Sequence, residues 1–202
     1  MKRIGVFGGA FNPLHIGHLI NAEFVGNEFN LDKILFIPTK IPPHKKLSGP
    51  ISDKIRIKMI KKAIKEYPYF EFSDIEIKRE KVSYTIDTLI ELSKKYPDSK
   101  LYLIIGNEWL DRFNTWYRYE DIFKYVKLII LRRVKNKYSK TNLPDFLKKF
   151  HSKIIFASNP VINISSTYIR KLIRKGFNIK YMVPEVVRKY IKKYNLYIGE
   201  IK

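Results

Sequence analysis

Residues Ile4–Leu19, IGVFGGAFNPLHIGHL, decide how the rest of this chain is read. Ile4, Val6 and Phe7 form a short β-prone run, and Gly8 and Gly9 end it. Asn12-Pro13 turns the chain, and His15 and His18 stand three apart where Leu19 and Ile20 begin an apolar helical pattern. A strand, a glycine turn and a helix start make an anion site. Glycine lets backbone N–H groups approach a phosphate, and the helix dipole favours negative charge there. Residues three apart on a first helical turn share a face, so both imidazoles can address one phosphate chain. Taken singly, the glycines read as a tight turn and the histidines as a surface pair. Their order at the first strand makes a site the better reading.

The chain has 202 residues, enough for one domain with a substantial core. Hydrophobic residues make up 45 % of it, which excludes a disordered chain. It has no cysteine, which excludes disulfides, thiolate catalysis and Cys-based zinc sites and suits a reducing cytoplasm. Met1-Lys2-Arg3 before apolar residues mimics a signal peptide, but Asn12, Pro13, His15 and His18 break the run and no small-residue cleavage site follows. No stretch is long and apolar enough to span a bilayer. The net charge of +21, from 40 Lys+Arg against 19 Asp+Glu, favours a phosphate-rich partner. The basic pairs are scattered (Lys61-Lys62, Lys94-Lys95, Arg132-Arg133, Lys148-Lys149, Lys192-Lys193), as on solvated faces, and nucleic-acid binding stays open as a second reading.

The remaining chain alternates short β-branched runs with amphipathic helical patterns, which predicts a Rossmann-like three-layer α/β/α fold around a central, mainly parallel sheet. Helices are expected over 16–29, 52–66, from about 86, over 143–150, after 167 and over 185–194. Strands are expected over 34–37, 70–77, 101–105, 127–131 and 153–157. Ligands of open α/β sheets bind at the carboxyl ends of strands. Two features stand there: the proline-rich loop with Lys40, His44 and Lys45 after the second strand, and Gly106-Asn107-Glu108 after the fourth; Arg132-Arg133 ends the strand over 127–131. Ser83-Tyr84-Thr85 and Ser165-Ser166-Thr167 read either as helix caps or as anion receptors at helix starts, the second with Arg170 on its first turn.

The opening stretch resembles the GGTFDPxHxGHL signature of nucleotidyltransferases with an HxGH element, and most of all that of the bacterial nicotinate-nucleotide adenylyltransferases. Two positions depart: Ala10 stands in place of Thr, so a phosphate contact there would pass through backbone N–H, and Asn12 in place of Asp keeps polarity without charge. Pro42-Pro43-His44-Lys45 resembles that family's loop at this place. SYTIDTL, residues 83–89, is similar to SYTxDTL, whose Thr region meets a nicotinate carboxylate. Gly106-Asn107-Glu108 stands for GxD, with Glu108 one methylene longer and suited to a ribose diol. Trp116, in Asn114-Thr115-Trp116-Tyr117, resembles the Trp that stacks a pyridine ring, whereas Trp109 reads as packing. ISSTYIR, residues 164–170, matches ISSTxIR without departure, and the tail also resembles that family, so the likeness covers essentially the whole chain.

The resemblance implies adenylyl transfer from ATP to nicotinate mononucleotide, giving deamido-NAD and pyrophosphate in NAD synthesis. It implies one nucleotidyltransferase domain over 1–202, with a helical part from about 165. His15, His18 and Arg170 are the expected catalytic residues. Gly8, Gly9, Ala10, Phe11, His15, His18, Gly106, Glu108, Ser165, Ser166, Thr167 and Arg170 are expected at ATP. Lys40, His44, Lys45, Ser83, Tyr84, Thr85, Trp116 and Tyr117 are expected at the mononucleotide. Mg²⁺ is expected, bound mainly through the substrate phosphates and needing few protein ligands, with no metal-binding residue singled out. The partners implied are ATP and nicotinate mononucleotide, in the cytoplasm, without membrane or nucleic acid, and a homodimer is allowed. The alternatives are a related HxGH transferase acting on phosphopantetheine and a basic RNA-binding protein that kept the fold.

Overall fold

The computed structural model describes residues 1–43, 51–133, 138–139 and 141–198. Six strands form one parallel sheet: β1 (Lys2–Gly9), β2 (Lys33–Pro38), β3 (Phe70–Phe72), β4 (Ser99–Gly106), β5 (Val126–Leu131) and β6 (Ile154–Phe156). Their order is β3-β2-β1-β4-β5-β6 and every neighbouring pair runs parallel. Apolar residues on both faces of the strands explain the parallel sheet, because each face needs a cover. Phe7 and Phe36 meet Leu19, Val25, Met59 and Ile60 on one face, beneath α1 (Ile16–Glu28), α2 (Asp53–Ile64), α6 (Ser166–Arg174) and α7 (Glu185–Lys193). Ile4, Val6 and Leu103 meet Ile86, Leu89 and Phe123 on the other, beneath α3 (Thr85–Lys95), α4 (Tyr119–Tyr125) and α5 (Asp145–Lys148). The predicted three-layer fold is the observed one.

The strand order reverses between β1 and β4, which opens a crevice at their carboxyl ends. Gly9 is in register with Pro38, and Gly106 with Leu131, so four strand ends bring their following loops to one rim. Three expectations are corrected. First, β1 does not stop at the glycines: Gly8 and Gly9 are strand residues paired with Ile37 and Pro38. Second, the strand expected over 70–77 ends at Phe72, because the Lys78 N–H closes a turn on the Asp74 carbonyl at 2.9 Å and carries Glu76 inward. Third, the helix expected over 143–150 is a single turn, Asp145–Lys148. The stretch Asn107–Thr115 is 3-10 helix, with non-helical backbone at Arg112, and was not anticipated. Among the described residues no helix is long and apolar enough to cross a membrane.

Candidate active site

A cavity of about 600 Å³ occupies the crevice, within the range typical of small-molecule sites. His15 is the residue before α1 and has extended backbone, so its N–H points back along the helix start. That N–H donates to His18 Nδ1 at 3.2 Å. The two rings stack with centroids 3.6 Å apart and planes 25° apart. Gly17 leaves the stacked His15 ring room, because a Cβ there would crowd its Nδ1 at 3.2 Å. Phe11, held at a left-handed φ of 43°, sets its ring edge-on to His18 at 5.0 Å.

Burial holds the His15 imidazole down at about 3, with the Arg133 guanidinium adding to the effect. His18 is held well below its ordinary value by burial, then by His15 and Arg133. Both rings are therefore neutral at pH 7. With Nδ1 of His18 accepting a hydrogen bond, its single proton sits on Nε2, which makes it a neutral donor. His15 is 2 % exposed, and its Nδ1 has no partner among the described residues.

Formal positive charge in the wall comes from arginine. Arg133 Nη1 pairs with Glu108 Oε1 at 3.0 Å, while Glu108 Oε2 has no partner among the described residues. A Cβ on Gly106 would overlap the Glu108 carboxylate as it stands and would push that flexible side chain aside. Arg170 donates from Nη1 to the Asn12 carbonyl at 2.7 Å and from Nη2 to Thr167 Oγ1 at 3.3 Å. Asn12 Oδ1 accepts from the buried Tyr197 hydroxyl at 2.5 Å. Ser165 caps α6 by accepting from the Tyr168 N–H at 3.1 Å, and Ser166 Oγ donates to the Pro13 carbonyl at 2.8 Å. The second signature thus braces the first.

Every residue expected at ATP borders this cavity, and so do Ser83, Tyr84, Thr85, Trp116 and Tyr117. Lys40 does not, although Thr39, Pro42 and Pro43 beside it do. His44 and Lys45 lie outside the described residues. Ser83 does not cap α3. Tyr84 holds that place, and Ser83 Oγ instead accepts the Ile41 N–H at 3.4 Å. Trp116 lies against Phe113, with centroids 4.9 Å apart, and its Nε1 has no partner among the described residues. Trp109, expected as packing, stands edge-on to Trp116 at 5.4 Å and also borders the cavity. Sequence reasoning missed Arg56, Glu76, Arg112 and Arg133 as contributors. Arg133 was within reach, since it follows β5 at the carboxyl rim; Arg56 and Glu76 carry no local signal. Arg56 is completely buried and donates from Nη1 to the carbonyls of Ala10 at 2.9 Å and Thr39 at 2.6 Å. It thereby joins the loops after β1 and β2.

The cytidylyltransferase-like family matches residues 6–172. A "Probable nicotinate-nucleotide adenylyltransferase" of Dictyoglomus turgidum is 41 % identical over 201 residues, covering 98 % of this chain and 97 % of that protein. A protein of the same name from Carboxydothermus hydrogenoformans is 42 % identical over 197 residues, covering 96 % and 98 %. This chain belongs to the nicotinate-nucleotide adenylyltransferase family. The solved Plasmodium falciparum nicotinic acid mononucleotide adenylyltransferase complexed with NaAD superposes with a TM-score of 0.79, at 21 % identity, over all of both chains. At that identity the likeness speaks for the fold, and it agrees with the sheet described above.

The buried histidines give the family fold here a definite acid sensitivity. An unfolded chain takes up protons at histidine below about 6.5, whereas native His15 resists until about 3. Conformational stability should therefore fall as pH drops through that window. Urea unfolding at pH 7.5, 6 and 4.5 should show the fall, and a shallower one in His15→Asn. An equal slope in the variant would contradict the assignment.

Proposed function

We infer that this chain is an adenylyltransferase that joins nicotinate mononucleotide to the AMP part of ATP, giving deamido-NAD and pyrophosphate for NAD synthesis. One observation carries the reading: a single cavity gathers His18, Arg170, the start of α3 and Trp116, drawn from stretches far apart in sequence. On this reading residues 1–202 work as one domain in the cytoplasm.

The reaction needs no protein nucleophile. A phosphate oxygen of the mononucleotide attacks the α-phosphorus of ATP, a new P–O bond forms, and the bond to the β-phosphate oxygen breaks with its electrons leaving on pyrophosphate. Catalysis reduces to alignment and to stabilising charge on the phosphates. His18 donates its Nε2 proton in a hydrogen bond to the α-phosphate region. His15 orients His18 through its backbone N–H and borders the neighbouring phosphates. Arg170, Ser165, Ser166 and Thr167 hold the β- and γ-phosphates at the start of α6. Gly8, Gly9, Ala10 and Phe11 offer backbone to the phosphate chain, and Gly106 and Glu108 face the ribose. Ser83, Tyr84, Thr85, Trp116 and Tyr117 receive the nicotinate part. Lys40, His44 and Lys45 belong to the mononucleotide loop on sequence grounds alone.

The wall sets imidazole, guanidinium and hydroxyl groups, a donor set for phosphate, beside the carboxyl groups of Glu76 and Glu108. Among the described residues no group of three His, Asp or Glu could hold a metal. Mg²⁺ would be held there chiefly through the phosphates of ATP, with these donors around them. When bound there, the ion neutralises charge on the leaving group.

The test is pyrophosphate release from ATP and Mg²⁺ with nicotinate mononucleotide, nicotinamide mononucleotide and phosphopantetheine offered in parallel. Release with the first, and far less with the others, is expected. Release with phosphopantetheine alone would discard the acceptor reading, and no release beside salt-dependent RNA binding would favour the RNA-binding alternative. In the same assay His18→Ala should lower kcat by about 10²–10³, the usual cost of one transition-state donor, with an unchanged circular dichroism spectrum. Normal turnover in that variant would remove His18 from the centre.

A further inference from the structure

Of the parts of ATP, the adenine base alone has no counterpart in the scheme above. One corner of the cavity is likewise unused. Asn21 lies one turn beyond His18 on α1, is 5 % exposed, and borders the cavity. Gly17, a turn before Asn21 on the same face, borders it too. Ile162, between β6 and α6, packs against Gly17, where a Cβ would come within 3.4 Å of its Cγ2. Leu131, at the end of β5, completes the corner.

Asn159, completely buried, decides which way the Asn21 amide points. Its own orientation is fixed by backbone. Asn159 Oδ1 accepts the Arg132 N–H at 2.8 Å, and its Nδ2 donates to the carbonyls of Arg132 and Pro160, each at 3.1 Å. The same Nδ2 donates to Asn21 at 2.8 Å. Only an oxygen can accept there, so Asn21 Oδ1 faces Asn159 and Asn21 Nδ2 is turned away from it. That NH₂ group makes no hydrogen bond among the described residues. A buried amide with unused N–H groups costs stability, and the cost is removed when a ligand supplies an acceptor. The corner is therefore apolar in its walls and carries one directed donor. A purine ring, flat and apolar on its faces with acceptor nitrogens N1, N3 and N7 on its edge, has the matching chemistry.

We propose that Asn21 is a base-recognising residue: its amide, oriented by Asn159, donates a hydrogen bond to a ring nitrogen of adenine. The proposal rests on the ATP reading given above. One helix turn then serves two parts of the same substrate, with His18 at the phosphates and Asn21, three residues on, at the base. Asn159 acts as a positioning residue, since it holds the oxygen of Asn21 and so commits the NH₂ group to the cavity.

The experiment compares KM for ATP with KM for its 1-deaza, 3-deaza and 7-deaza analogues, each of which replaces one ring nitrogen by C–H. It is run in wild type, Asn21→Leu and Asn21→Asp, with KM for nicotinate mononucleotide measured alongside. In wild type at least one analogue should show a KM about three- to tenfold above that of ATP, the usual weight of one neutral hydrogen bond. In Asn21→Leu the KM for ATP should rise by a similar factor, the KM for the mononucleotide should stay within about twofold, and the penalty on that analogue should vanish. Asn21→Asp keeps an acceptor for Asn159 and removes the cavity-facing donor. The penalty should vanish there as well, because the ratio of the two KM values cancels any general effect of the added charge. A merely structural residue would change KM and leave the ratio intact. Analogue penalties that all persist in the variants, or wild-type enzyme indifferent to every analogue, would overturn the proposal. If Asn21→Leu does not fold, Asn21→Asp decides by the same ratio. Wild-type turnover separates the two levels. No turnover with ATP and nicotinate mononucleotide removes the ATP reading and the proposal with it, whereas normal wild-type turnover with no analogue penalised removes Asn21 alone.

Discussion

The site depends on one local hydrogen bond, the His15 N–H donating to His18 Nδ1 beside two stacked imidazoles. It fixes which nitrogen of His18 carries the proton, and it does so with backbone, which cannot rotate away. Stacking at 3.6 Å suits two neutral rings and would set two imidazolium ions in repulsion. Burial and the nearby Arg133 keep both neutral. The helix start, the missing Cβ at Gly17 and the Phe11 ring all serve that arrangement. The histidines therefore offer the substrate a directed N–H, and the formal charge is left to arginine.

That division of labour is physically economical. An imidazolium would have to be desolvated each time the cavity closed on a phosphate. A guanidinium stays charged and can be held in place by carbonyls before substrate arrives. Arg170 on Asn12 and Arg56 on Ala10 and Thr39 are such cases, both turning loop carbonyls toward buried cations. The loops around the crevice are thus fixed mostly by side chains from the helices behind them, and α2 and α6 carry as much of the site as the strand ends do.

Much of this was legible in the chain. The strand–turn–helix order of Ile4–Leu19 and the apolar run Leu101–Ile105 predicted a parallel sheet with its crevice at the carboxyl rim, and β1 and β4 lie side by side there. ISSTYIR was legible as a helix start, and its Ser165 is the cap. Illegible were features set by contacts between distant segments. The alternation over 70–77 looked like strand to its end, but burial of Glu76 against Thr88 bends the chain after Phe72. Ser83 carried a capping signal and spends its hydroxyl on the loop after β2 instead. The Glu108–Arg133 pair could not be read from either residue alone, since β4 and β5 bring them together. Residue identity reported the chemistry available, and tertiary packing decided which groups were already engaged.

Proton-detected ¹⁵N spectra of the imidazoles, recorded from pH 8 down to pH 5, test the central claim most directly. His15 should remain neutral throughout, and His18 should hold its single proton on Nε2 and charge only well below the ordinary histidine value. Protonation of both rings near their ordinary value, or a proton on His18 Nδ1, would contradict it.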